Sequence, residues 1–129
     1  IPGVTNQPQR FVADRAARIP DDHPFFASGG QRLCGASPGE LLQELRSLGV
    51  TGVLVEGGPN LVGSFIRDDL VDQLELFSSP DSWGQGIPMM CPETRQVFEA
   101  NFRLRRSRPV ERDFWHTWER FGEEESYQK

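Results

Sequence analysis

A single carboxylate followed by a run of small residues marks the place where this chain could do chemistry. Glu56 precedes Gly57-Gly58-Pro59-Asn60, after which Leu61, Val62, Phe65 and Ile66 recur at the spacing of one helical face. Pro59 suits a first-turn position, where its missing N–H costs nothing. Free N–H groups at such a helix start, together with the helix dipole, attract phosphate, and two glycines leave no side chain to hold a ligand away from the backbone. The pattern predicts an anion-binding loop beside Glu56, with no nucleophile or triad visible. It is also compatible with a plain turn, because short glycine motifs are weak evidence by themselves.

The elements around this loop have to position it. Val53-Leu54-Val55 is a short, β-branched-rich apolar run that ends in the glycine pair, which predicts a strand buried on both faces of a parallel sheet. Such a strand would deliver Glu56 to the carboxyl edge of the sheet, where ligands of open α/β sheets bind. Upstream, Ser37-Pro38-Gly39-Glu40 has the form of a capping box, Leu41, Leu42, Leu45 and Leu48 form one helical face, and Gly49 ends the helix. Phe11-Val12-Ala13 reads as a short strand with Asp14 and Arg15 at its end. From Phe25 to Ala36 glycine is frequent and no strand periodicity survives. His23, between Asp22 and Pro24, reads as a surface loop residue, with a catalytic role as the alternative.

Downstream, Leu74 and Leu76 alternate with Gln73 and Glu75, predicting a strand that is polar on one face. Ser78 to Pro88 reads as a loop. Phe102 and Leu104 alternate with Arg103 and Arg105, and Phe114, His116 and Trp118 alternate with Trp115, Thr117 and Glu119. This predicts two antiparallel strands joined around Arg108-Pro109. The polar stretch Glu123 to Lys129 reads as a disordered tail.

The totals bound the function. At 129 residues the chain is one domain by length, and 36% hydrophobic with 26% charged residues argues against wholesale disorder. A net charge of -5 argues against a general nucleic-acid-binding protein; the arginines at 103, 105, 106 and 108 are explained by strand alternation. No apolar run approaches the roughly 20 residues that span a bilayer, and no signal-peptide pattern is present, which reads as cytoplasmic. Cys34 and Cys91 read as free thiols, and with His23 and His116 they lack zinc-ligand spacing, so no metal is expected.

Leu54-Val55-Glu56-Gly57-Gly58-Pro59-Asn60-Leu61, followed by Leu70-Val71-Asp72-Gln73-Leu74 and then Pro80 and Gly84, resembles the reductase domain of bifunctional riboflavin biosynthesis proteins, within the dihydrofolate-reductase-like superfamily. Pro8-Gln9-Arg10-Phe11-Val12-Ala13-Asp14 and Val110-Glu111-Arg112-Asp113-Phe114 extend the resemblance. It implies an α/β fold with a mostly parallel sheet flanked by helices and C-terminal antiparallel strands. Residues 1–121 would form an incomplete, N-terminally truncated version of that domain, with a strand, a helix and a loop upstream of Phe11 absent and the 25–36 segment shortened. Asp69 stands where the family has a glycine suited to a left-handed conformation, and Asp72 is expected to be structural. Asp81-Ser82-Trp83 replaces apolar residues of the family's loop. The H-x-E and P-C-x-x-C elements of the deaminase partner are missing around Cys91-Pro92, so deamination is not encoded.

The resemblance further implies an NADPH-dependent reductase acting on a small-molecule pyrimidine, 5-amino-6-(5-phosphoribosylamino)uracil, whose ribosyl group is reduced to the ribityl level. Glu56 would contact the substrate. Gly58, Pro59, Asn60, Leu61, Val62, Gly63 and Ser64 would line the cofactor, although Gly63 and Ser64 are equally explained by helix packing. Arg15, together with Arg18, would meet the 2′-phosphate, with solvated surface arginines as the alternative. A homodimer is expected. Two rivals remain open: a reductase of the same superfamily with another heterocyclic substrate, and a non-catalytic remnant.

Overall fold

The computed structural model describes residues 7–82 and 84–121. The expectations for Trp83 and for the 122–129 tail lie outside the described residues. The elements alternate as an α/β chain: β1 (Phe11–Ala13), α1 (Pro24–Ala27), β2 (Gln31–Leu33), α2 (Pro38–Ser47), α3 (Pro59–Arg67), β3 (Gln73–Ser78), α4 (Pro92–Asn101), β4 (Phe102–Val110) and β5 (Asp113–Arg120). The chain divides into two compact units, residues 1–53 and residues 54–129.

In the first unit β1 and β2 pair in parallel, Phe11 opposite Gln31 and Ala13 opposite Leu33. The strand at Phe11 is as expected; α1 and β2, inside the glycine-frequent segment, are not. β2 has three residues, too few for alternation to show, and what defines it is its ladder to β1. His23 is the N-cap of α1, its Nδ1 accepting from the Phe25 N–H at 3.2 Å. Leu33, Leu41 and Leu45 are buried here, while Leu48, at the end of the expected apolar face, is 49% exposed. Ser37 caps α2 through the Glu40 N–H at 3.3 Å, and Glu40 reaches back one residue further than a capping box requires, to the Ala36 N–H at 2.6 Å.

The second unit holds a three-stranded antiparallel sheet in the order β3-β5-β4. Register places Leu74 opposite Trp118 and Leu76 opposite His116 on one face, with Glu75 opposite Thr117 and Phe77 opposite Trp115 on the other. The first face carries the packing: Phe98 of α4 stacks on Phe102 at 5.2 Å and meets Trp118 edge-on at 5.0 Å between ring centres. Phe65, Ile66, Met90 and Phe102 are buried, and each such side chain contributes about 1.5–3 kcal/mol by transfer from water.

Two expectations are corrected in this unit. The turn between β4 and β5 falls at Glu111-Arg112, not at Arg108-Pro109, and Pro109 lies inside β4 opposite Phe114. An edge strand tolerates a residue with no N–H to donate, and β4 is such an edge. Helix α4 was hidden in a stretch with no strong apolar stripe, although Pro92 at its first position and Glu93 in its first turn were the available signal.

A third correction concerns the run that should carry Glu56. Residues 51–58 form no strand; Val53 is 45% and Leu54 80% exposed. A buried parallel strand exists only through its ladder partners, and among the described residues the parallel pairing is confined to β1 and β2.

Candidate functional site

The loop after the Val53-Leu54-Val55 run enters α3 at Gly58, which stands at the N-cap in extended conformation with no side-chain capping bond. Pro59 follows at the first helical position, and the first intrahelical bond of the turn is Val62 N–H to Gly58 oxygen at 3.2 Å. Asn60 and Leu61 therefore present backbone donors that no side chain caps, and the first turn carries no acidic residue. The positive end of the helix dipole is left uncompensated at this point.

The two glycines before α3 differ in their surroundings. A Cβ at Gly57 would come within 3.0 Å of Leu61 Cδ2, so a side chain there would press on the first turn. A Cβ at Gly58 would meet nothing within 4 Å, and the space over this residue is open. Glu56 is exposed and makes no hydrogen bond or ion pair among the described residues.

Further along α3 the structure gives the small residues local partners. Gly63 is buried, and a Cβ on it would lie 3.1 Å from the Arg67 guanidinium and 3.2 Å from Thr94 Oγ1 of α4. Arg67 donates to Thr94 Oγ1 at 2.6 Å and lies 3.7 Å from Cys91 Sγ, fastening the end of α3 to the start of α4. Ser64 donates to the Leu61 carbonyl at 2.7 Å. Leu61 and Val62 are half-buried, and Pro59 is likewise half-buried while Asn60 is exposed. No three His, Cys, Asp or Glu residues converge among the described residues.

Helix α3 ends at the residue whose conformation the sequence anticipated. Asp69 has φ 56°, the Asp69 N–H bonds to Ile66 oxygen at 3.1 Å and the Leu70 N–H to Phe65 oxygen at 3.0 Å. That pair of bonds is the Schellman termination, which requires a left-handed residue at this place. The Asp72 main-chain carbonyl accepts from the Arg120 N–H at 3.0 Å, and its exposed carboxylate lies 3.6 Å from Arg120 Nη2.

Arg15 belongs to the first unit, in the loop that follows β1, and both it and Arg18 are exposed with no side-chain partner among the described residues. Asp14, the residue before them, is only 5% exposed. Its two oxygens accept from the Arg18 N–H at 2.9 Å and the Ile19 N–H at 3.0 Å, and Arg32 Nε reaches it at 3.2 Å. The Ile19 N–H, ahead of those from Arg18 and Arg32, holds the Asp14 carboxyl below its ordinary pKa against the opposing effect of burial. Arg32 stands 18 residues away, so no local spacing signalled this contact.

In the second unit Glu75 accepts from Trp115 Nε1, from Thr117 Oγ1 at 2.9 Å and from Gln73 Nε2, and Arg108 lies 3.5 Å over the Trp115 ring. Partial burial pushes the Glu75 pKa up, but these hydrogen bonds and the charge of Arg108 outweigh it and leave the pKa lowered.

The family model of the RibD C-terminal domain matches residues 2–115. Riboflavin biosynthesis protein RibD of Corynebacterium ammoniagenes is 40% identical over 89 residues, which are 67% of this chain and 26% of that protein. RibD of Aquifex aeolicus is 28% identical over 68 residues, 53% of this chain and 19% of the relative. The chain thus spans about a quarter or less of these relatives' length. In three dimensions it resembles a Shewanella sp. PV-4 protein assigned to riboflavin biosynthesis, with a TM-score of 0.71 at 17% identity over 93% of this chain and 64% of that one. Acinetobacter baumannii RibD gives a TM-score of 0.71 at 21% identity over 88% of this chain and 38% of that one. These likenesses bear out the α/β, dihydrofolate-reductase-like fold, and with the match over residues 2–115 the chain belongs to the RibD C-terminal domain family.

Proposed function

We propose that the chain is a cytoplasmic, NADPH-dependent reductase of 5-amino-6-(5-phosphoribosylamino)uracil, reducing the ribosyl group to the ribityl level in riboflavin biosynthesis. The observation that carries this reading is the start of α3: Asn60 and Leu61 donors without a side-chain cap, no acidic residue in the first turn, and open space over Gly58. That donor set fits the pyrophosphate of a dinucleotide, and the exposed guanidinium of Arg15 fits a phosphate monoester. When bound, NADPH supplies the hydride for the opened sugar carbon.

The chain's own task is to bind, orient and exclude water. Gly58, Pro59, Asn60, Leu61, Val62, Gly63 and Ser64 are the residues proposed to hold the cofactor, with Arg15 for its 2′-phosphate. Glu56, with no partner among the described residues, is proposed to orient the polar groups of the pyrimidine. A homodimer completes the proposal, supported by Phe77, which is 61% exposed on the sheet face it shares with Trp115.

A second reading is favoured by one observation. The run that should anchor Glu56 joins no ladder among the described residues, and Leu54 is 80% exposed. A non-catalytic relative, or a reductase of another heterocycle, is compatible with that looser support.

Titration of the purified chain with NADPH and NADH, followed by quenching of its three tryptophans and energy transfer to the nicotinamide, is expected to give saturable, NADPH-preferring binding by a particle of two chains. Glu56→Gln is expected to leave NADPH affinity within about twofold and to lower kcat/KM for the phosphoribosylaminopyrimidine by about tenfold or more. NADPH binding without turnover would favour a different heterocycle. No saturable binding by folded protein would leave the non-catalytic reading.

A further inference from the structure

Ser78 closes β3 and His116 lies in the middle of β5, 38 residues apart in sequence. Antiparallel pairing sets Ser78 opposite Phe114 and Leu76 opposite His116, so Ser78 and His116 are diagonal neighbours on one face of the sheet. A short serine arm and a long imidazole meet across that diagonal, with Ser78 Oγ 2.9 Å from His116 Nε2. With the imidazole proton on Nδ1, Nε2 is the acceptor and the Ser78 hydroxyl donates to it. Both residues are half-buried, which leaves the pair within reach of a solute. The helix packing is at the opposite end of this face, where Phe98 of α4 meets Phe102 and Trp118.

Two neighbours equip the pair. Phe114 stacks against the His116 ring, 6.0 Å between centres and 16° between planes, which limits rotation of the imidazole. The Phe114 ring is itself 46% exposed and offers a flat apolar surface on the residue opposite Ser78. The Ser79 N–H, one residue past the hydroxyl, has no acceptor among the described residues. A backbone donor directly after a serine nucleophile is one that hydrolases use to hold the oxygen of the tetrahedral intermediate.

We propose that Ser78 and His116 form a nucleophile and general-base pair that cleaves small carboxylic esters. Ser78 Oγ attacks the carbonyl carbon while its proton passes to His116 Nε2. The bond from that carbon to the leaving oxygen then breaks, and His116 returns the proton to the departing alcohol. Water, giving its proton to His116, attacks the acyl group on Ser78; the acid leaves and the hydroxyl is restored. This activity goes beyond the reductase reading and uses no cofactor.

Two probes test it on the full chain. Diisopropyl fluorophosphate traps the nucleophile: its P–F bond breaks as Ser78 Oγ binds phosphorus, fluoride leaves, and the proton goes to His116. p-Nitrophenyl acetate measures turnover. Folded wild type is expected to carry the phosphoryl adduct on Ser78, read by mass spectrometry of its peptides. It is expected to release p-nitrophenolate about tenfold or more faster than folded Ser78→Ala. Mapping the adduct is essential because Cys34 and Cys91 are exposed free thiols that also take acetyl groups from activated esters. His116→Gln, which has no basic nitrogen, is expected to slow adduct formation about tenfold or more. Folding is checked by circular dichroism, and His116→Asn is read in its place if His116→Gln does not fold.

Folded wild type without an adduct on Ser78 would overturn the proposal. So would an adduct that forms at the wild-type rate in the folded His116 variant, or p-nitrophenolate release unchanged in Ser78→Ala; either leaves the contact as a cross-strand staple. None of these outcomes touches NADPH binding, which the tryptophan titration reads separately.

Discussion

Asp69 shows how a single backbone dihedral constrains side-chain choice. At φ 56° it pays a conformational cost that glycine would not, yet its carboxylate accepts from Arg120 at 2.9 Å and from Asn101 at 3.3 Å. Removing the left-handed strain gains about 1 kcal/mol, and the exposed ion pair is worth about 0–1 kcal/mol. Asp69→Gly is therefore expected to leave stability within about 1 kcal/mol of wild type, because gain and loss offset. Asp69→Val loses the pair and places a β-branched residue at positive φ, and is expected to cost about 2 kcal/mol or more. Urea unfolding midpoints of the two variants check both values.

At the level of elements, what the sequence revealed depended on whether an element is defined locally. Helix α2 was legible because its signals lie within one turn of its ends: Ser37 and Glu40 at the start, and Gly49 at φ 78° at the finish. Ser37→Ala removes the acceptor for the Glu40 N–H and is expected to cost about 1 kcal/mol, read as a shift in thermal midpoint. The same locality made α3 and β3 readable from periodicity. β2 was not, since three residues carry no period and the strand exists through β1. The Val53-Leu54-Val55 run failed in the opposite sense, since composition suited a buried strand but the ladder that would make it one is missing among the described residues. The glycine loop and the start of α3 were readable, whereas the contacts of Asp14 with Arg32 and of Arg67 with Thr94 span 18 and 27 residues and left no mark in local spacing.

For the molecule as a whole, each unit contains a carboxylate whose pKa is lowered by hydrogen bonds, Asp14 in the first and Glu75 in the second. A group with a lower pKa folded than unfolded stabilises the fold fully above its ordinary value, about 4 for a carboxylate, and that contribution is lost as pH falls through the lowered folded value. Stability is thus expected to be level from about pH 7 to about pH 5 and to fall on the acid side below about pH 4. In an Asp14→Asn, Glu75→Gln double variant the acid-side fall is expected to be shallower, because part of the proton uptake on unfolding has been removed. Urea midpoints across that pH range, for wild type and double variant, check the sign.

The apolar run Val53-Leu54-Val55, in no ladder among the described residues, also bears on how copies of the chain behave in a crowded solution. Val53 and Leu54 offer exposed apolar side chains on backbone that joins no ladder among the described residues, the kind of segment on which strands from neighbouring molecules add. What holds such copies apart is the surplus of five negative charges, a repulsion that added salt screens and acid neutralises. The colloidal safety of this chain thus lies in its charge, and concentrated, salty or acidic solutions bring its adhesive segment within reach of its neighbours.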